Sequence, residues 1–361
     1  MYVYSIAVLL IVFGGLITSK SLGLKNISKK KINNIFVYVT VAAFLILIVG
    51  LRSINIGTDT IAYIDLNHYI SNNIQSLGQL LSDWYINTYL GYESGYLIYC
   101  YLLTKLGVSE NIFILISALI ALIPVMVLIY KKSDFPFLSL LFFVVFGMYS
   151  YSFNVLRQYL AIGLISIAYI LFDKKGKKHI SIFLIITAAT IHVSAIVGLL
   201  LFSPLFVKSV TPTKLLLSYL LLILFLAAGS GMVDNLFSHF TKYKFTIQNG
   251  QKHYSTIVVL LLIYAYIIIK QNGRFEDKDK NYIILFYLYL VMQVAALFAG
   301  ILSRMSLYFY IGIVIGLPNI ILKKINRERF LVISVILLLF GVQYFKSLLS
   351  DPSLTPYIFG I

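Results

Sequence analysis

Arg52, Arg157 and Arg304 each lie at the end of a long apolar stretch, beside small or polar residues. A guanidinium at such an edge is costly unless its head snorkels into water or binds something. Its planar fork of donors can grip phosphate oxygens in pairs, which the ammonium of lysine cannot do. The chemistry that follows is recognition of an anionic group, with a pyrophosphate as the natural ligand; the plainer alternative is that each arginine anchors a helix at the lipid headgroups. Their neighbours favour a site. Helical spacing puts Asn154, Arg157 and Gln158 on one face, and Arg304 with Tyr308 on another. Asp59 lies in the polar turn after Arg52, Glu93 precedes Ser94 and Gly95, and His192 is followed by Val193 and Ser194 in an otherwise apolar run. Asp59, His192 and Glu93, in that order of preference, are groups able to take a proton from a hydroxyl. The plainer roles are a turn residue for Asp59, a helix cap for Glu93 and a carbonyl-bonded core histidine for His192.

Groups of this kind at a membrane edge must be carried by apolar helices, and the composition supplies them. Hydrophobic residues make up 60% of the 361 and charged residues 12%, a balance outside that of soluble globular domains. The fold class is an all-α polytopic membrane protein, one integral membrane domain over residues 1–361. Spans are predicted near 2–18, 35–51, 111–130, 136–151, 155–172, 214–231, 255–270, 282–302, 305–322 and 330–346. With a hairpin of two short segments near 180–206, this makes about 12 transmembrane segments. The run 95–106 is apolar but about half the length a span needs, and is read as re-entrant or interfacial. The first segment lacks a basic flank and a cleavage signature, so it is read as a retained helix.

A net charge of +16 does not point to nucleic acid once its distribution is followed. If the N-terminus is outside, the clusters around Lys20–Lys31, Lys131–Lys132, Lys174–Lys178, Lys208–Lys214, Lys270–Lys280 and Lys323–Arg329 all fall inside and hold most of the 29 basic residues. Both termini, the three arginines and the loops 52–94 and 232–254 then face outward from a bacterial cell membrane. The two loops are the expected substrate-binding elements. Cys100 is the single cysteine, which excludes a disulfide or a cysteine metal site within one chain. Neither a Gly-rich phosphate loop nor HExxH occurs. Asp277-Lys278-Asp279 reads as a solvated mixed-charge loop rather than a metal motif. No metal or cofactor is expected, since arginine can neutralise the anion.

At these residues the chain resembles a known family. Leu51-Arg52-Ser53, Ile56-Gly57-Thr58-Asp59-Thr60 with Tyr63, and Glu93-Ser94-Gly95-Tyr96 are similar to the opening of EpsG-family proteins. The resemblance continues in order through Asn154-Val155-Leu156-Arg157-Gln158, His192-Val193-Ser194-Ala195, Ser303-Arg304 with Tyr308, and Pro356-Tyr357. It implies a Wzy-like polymerase of capsular or exopolysaccharide repeat units, with a GT-C-like architecture among the options. The substrate implied is undecaprenyl-pyrophosphate-linked oligosaccharide, and membrane lipid, a flippase and a chain-length regulator are the implied partners.

The expected reaction moves a growing glycan from its lipid pyrophosphate onto the non-reducing end of a new lipid-linked unit. Arg157 and Arg304 are the first choices to hold the pyrophosphate, whereas Arg52 serves mainly to fix the Asp59 loop. A flippase of the same lipid-linked oligosaccharide is the main rival, although polar residues gather on one side rather than through the midplane. A ligase using the same donor and an acyltransferase are the others.

Overall fold

The computed structural model describes residues 1–20, 27–172, 176–202, 254–271, 277–296, 301–324 and 328–360, together with 214, 217 and 275. The described residues fall into two compact units, Met1–Gly198 with Val335–Ile361, and Leu199–Ser334. The even hydropathy of the sequence, read as one membrane domain, carries no mark of this division. The expected span at 214–231 and the loop 232–254 lie outside the described residues, save 214 and 217.

In the first unit the long apolar runs form α1 (Tyr2–Lys20), α2 (Ile27–Gly50) and α6 (Glu110–Lys132). Helix α6 opens on an acidic residue and closes on Lys131 and Lys132, charges that complement its dipole. Between α2 and α6 the chain is polar enough to stay off a span and makes α3 (Thr60–Asn73), α4 (Leu77–Ser82) and α5 (Ser94–Lys105). Next come α7 (Pro136–Val145), with proline at its first position, α8 (Met148–Asn154), α9 (Leu156–Phe172) and α10 (Lys178–Ile191). Helix α9 packs on both α6 and α10. Gly163 allows the first contact, because a Cβ there would meet the carbonyl oxygens of Ile120 and Ala121 at 2.9 and 3.0 Å. Small residues at such crossings let apolar helices approach backbone to backbone.

The second unit contains α11 (Tyr254–Lys270), α12 (Asp277–Ala295), α13 (Ile301–Ser306) and α14 (Leu317–Lys324). Helix α15 (Arg329–Ser350) starts in this unit, and from Val335 onward it belongs to the first. Asp277-Lys278-Asp279 opens α12 rather than forming a solvated loop, and Asp279 is buried.

Two described helices, Glu110–Lys132 and Arg329–Ser350, are long and apolar enough to cross a membrane. Two bent pairs, Pro136–Val145 with Met148–Asn154 and Leu302–Phe309 with Gly312–Lys323, raise the number to four if each is one span. The expected count of about 12 is therefore not reached among the described residues. Five further apolar helices, such as Leu156–Phe172 and Lys178–Ile191, are shorter than a full crossing. The predicted span 136–151 is broken by 56° where Gly147 takes a left-handed conformation, φ +77°. Segment 95–106 is a single twelve-residue helix, α5. The predicted hairpin near 180–206 is α10 followed by a 3₁₀ segment, Val193–Phe202, with His192 at the break.

Candidate functional site

Glu93, Arg157 and His192 meet at three helix ends in the first unit. Glu93 occupies the N-cap position of α5, Arg157 lies in the first turn of α9, and His192 ends α10 in an extended conformation. Gly95 brings α5 and α10 together. A Cβ at this position would meet the Thr190 carbonyl oxygen at 2.7 Å, so only glycine permits the approach that sets Glu93 beside His192.

The Glu93 carboxylate is engaged on both oxygens. Its Oε2 accepts from Arg157 Nη1 at 2.6 Å, and its Oε1 lies 3.0 Å from His192 Nδ1 and accepts from the Val193 N–H at 3.1 Å. Burial works to raise the Glu93 pKa; the His192 hydrogen bond, the Arg157 charge and the Val193 N–H outweigh it and push it down to about 2. Glu93 is thus held as an anion with both oxygens engaged. An ionised carboxylate can only accept, so His192 Nδ1 carries a hydrogen and donates it. In the neutral ring the basic lone pair then sits on Nε2. The Arg157, Glu93 and His192 side chains are 23%, 19% and 16% exposed, so a ligand can touch the cluster without opening the fold.

Arg157 is also caged by rings. Its guanidinium carbon lies 4.6 Å from the Tyr92 centroid, 5.7 Å from Tyr96 and 5.9 Å from Tyr63. A hydrogen bond joins it to Tyr63, whose hydroxyl donates to Asp59 Oδ2 at 3.4 Å. Buried Arg157 Nε has no hydrogen-bond partner among the described residues. A buried donor left unmade costs free energy, and an incoming anionic oxygen would satisfy it. The three tyrosines were not singled out from sequence, although Asp59 to Tyr63 and Tyr92 to Tyr96 are i, i+4 pairs that a helical reading could have joined.

The other predicted site residues lie as follows. Asp59 Oδ1 accepts from the Thr58 hydroxyl, and Asn154 Oδ1 accepts from the Thr58 N–H at 3.1 Å, which pins the loop 53–59 to the end of α8. Asn154, Arg157 and Gln158 do not form one helical face, because α8 ends at Asn154 and Val155 is non-helical. Gln158 and Ser194 are buried. Arg304 and Tyr308 belong to the second unit, on the helical run Leu302–Phe309, with Arg304 exposed and Tyr308 buried in its 3₁₀ end.

Arg52 departs furthest from a ligand-binding role. It is fully buried, and its guanidinium donates to the carbonyls of Val49, Ile56 and Phe153 and to the Thr60 hydroxyl. Segment 353–360 closes over it: Arg52 bridges to Phe359, Ser53 N–H donates to Ile358, Gly360 N–H to Leu51 and Gly57 N–H to Ser353. Gly57 has φ +95°, and a Cβ there would strike the Phe153 carbonyl. Arg52 is a fastener for the Asp59 loop and offers no donor to a pyrophosphate.

Residues 35–359 match the family model described as the EpsG family. The chain belongs to the EpsG family. Membership associates it with polysaccharide polymerisation in a membrane setting, as its apolar helices require. No curated protein and no solved structure matches it significantly. The Glu93, Arg157 and His192 cluster and the Arg52 fastener both lie within the EpsG-matched span.

Proposed function

We propose that this EpsG-family protein is a polymerase that joins lipid-linked repeat units of an exopolysaccharide at the outer face of the cell membrane. The donor is a growing glycan on undecaprenyl pyrophosphate, and the acceptor is a hydroxyl at the non-reducing end of the next lipid-linked unit. The acceptor oxygen bonds to the anomeric carbon of the donor as the bond from that carbon to the pyrophosphate oxygen breaks. The bonding pair leaves with the lipid pyrophosphate, and the hydroxyl proton passes to His192 Nε2.

The observation that carries this reading is the convergence of Arg157 and His192 on one carboxylate. Glu93 fixes the tautomer and orientation of His192, as a buried carboxylate does for a catalytic histidine elsewhere. Arg157 keeps an unmatched Nε–H beside the cluster, suited to the negative charge that grows on the leaving group. Asp59, the first choice from sequence, acts through Tyr63 to hold the arginine cage. Arg304, on the second unit, is a separate candidate for anion binding.

Purified protein in liposomes with lipid-linked repeat units tests the proposal. The wild type should build a ladder of products, while His192→Ala and Arg157→Ala should leave single units with the protein folded. Normal ladders from both variants would overturn the assignment.

A further inference from the structure

Helices α3 and α5 run side by side in the same direction, since Tyr63 meets Tyr96 at 5.5 Å between centroids and Lys105 Nζ donates to the Ile74 carbonyl at 2.8 Å. The Arg157 cage lies at the Tyr63 and Tyr96 end. Eight residues on along each helix, at Ser71 and Thr104, roughly 12 Å at helical rise, a second feature opens. It is a cavity of about 510 Å³ lined by Asn67, His68, Ser71, Thr104, Gly107, Val108, Ser109, Glu110 and Asn111. That volume lies within the roughly 300–1,000 Å³ typical of small-molecule sites.

The lining differs in kind from the Arg157 end. Its described residues include neither lysine nor arginine and are mainly amides and hydroxyls. Several of these groups are not engaged by the fold. Asn67 Oδ1 is buried with no hydrogen-bond partner among the described residues. Ser109 holds the N-cap position of α6 but makes no capping bond. At the mouth, His68 Nε2 lies 2.7 Å from Glu110 Oε1, with both side chains exposed, a pair that contributes little to stability. A lining rich in neutral donors and acceptors, with an acceptor-only carboxylate at the rim, suits vicinal hydroxyls and not a phosphate.

We propose that this cavity is a saccharide subsite, taking sugar residues of the glycan whose pyrophosphate end lies toward Arg157. The identity of the saccharide rests on the polymerase reading; the existence of the subsite rests on the cavity. The α3 and α5 pair thereby separates the two chemistries of one substrate, an anion at one end and hydroxyls at the other.

Binding without lipid or pyrophosphate tests it. Neutral oligosaccharides released by mild acid from the producing cell's own exopolysaccharide are titrated against purified full-length protein by saturation-transfer NMR. The wild type should bind, and Asn67→Leu and Glu110→Gln should each weaken binding about tenfold, the loss of a hydrogen bond to a buried or charged group. Ser71→Leu, which fills the cavity from an exposed helix position, serves as a second variant should Asn67→Leu fail to fold. Arg157→Ala should bind these oligosaccharides as the wild type does, and inorganic pyrophosphate should not compete. Absence of wild-type binding, equal binding by the cavity variants, or displacement by pyrophosphate would each overturn the subsite. If the wild type builds no ladder from lipid-linked repeat units while the cavity variants lose oligosaccharide binding, the polymerase assignment fails and the subsite stands.

Discussion

Arg52 and Arg157 hold matching places in the sequence, each at the edge of an apolar stretch beside polar residues, yet the fold uses them differently. Arg52 is sealed in, and backbone carbonyls with one hydroxyl take its hydrogen bonds. Arg157 is half-buried, paired with one carboxylate, ringed by three tyrosines and left with a donor in reserve. The deciding quantity is what the neighbours already satisfy. An arginine saturated by carbonyls can only fasten, whereas one that shares a carboxylate with a histidine and keeps an open donor can bind.

The comparison is most exposed at His192 and Arg157. Replacing His192 with alanine should slow polymerisation by about 10²–10⁴, the range for a general base, and Arg157→Ala by about 10²–10³, with a smaller drop in thermal midpoint than Arg52→Ala in both. Ladder assays on reconstituted protein check this, and a large loss of folded protein in either variant would put that residue in the class of Arg52. Arg52→Ala should show the reverse pattern. Unpaired carbonyls and a void should cost roughly 3–5 kcal/mol, read as a drop in thermal midpoint in detergent; an intact midpoint with lost activity would break the contrast.

Gly95→Ala sharpens the comparison from the packing side. The added Cβ forces α5 from α10, at about 1–3 kcal/mol, and should separate Glu93 from His192, so activity should fall more than stability does. The smallest effect concerns pH. The Glu93 pKa lies below its ordinary value in the folded state, so the stability it adds is fully present above the ordinary carboxylate range and is lost as pH falls toward about 2. Between pH 6 and pH 3 the wild-type midpoint should therefore decline more than that of Glu93→Gln; parallel curves would remove the carboxylate from the network.

Much of this was legible residue by residue and little of it as geometry. Glu93, Arg157 and His192 stand out in sequence because polar groups are rare in apolar surroundings. Their meeting does not, since Glu93 lies 64 residues from one and 99 from the other, and no periodicity relates them. Helical spacing misjudged Asn154 against Arg157 and Gln158 because Val155 interrupts the helix between them. Hydropathy windows count apolar residues and are blind to bends, so the segment 136–151 read as one straight span where Gly147 breaks it. The tyrosine cage was hidden by abundance: with 28 tyrosines, three that matter carry no compositional signal.

The hydrogen bonds that segment 353–360 makes around Arg52 have a bearing on the order of assembly. Tyr357 donates to the Ile48 carbonyl, 309 residues earlier, and Tyr4 donates to Leu354 across 350 residues. Closures of such length come late in folding, because nearly the whole chain must be placed before they form. The loop bearing Asp59, already pinned to Asn154 and Arg52, therefore gains its last contacts only after the ribosome has delivered segment 353–360. Nascent chains arrested upstream of it would insert their helices yet hold that loop only partly latched, leaving unfinished molecules without a fully rigid Asp59 and Tyr63 edge to the arginine cage.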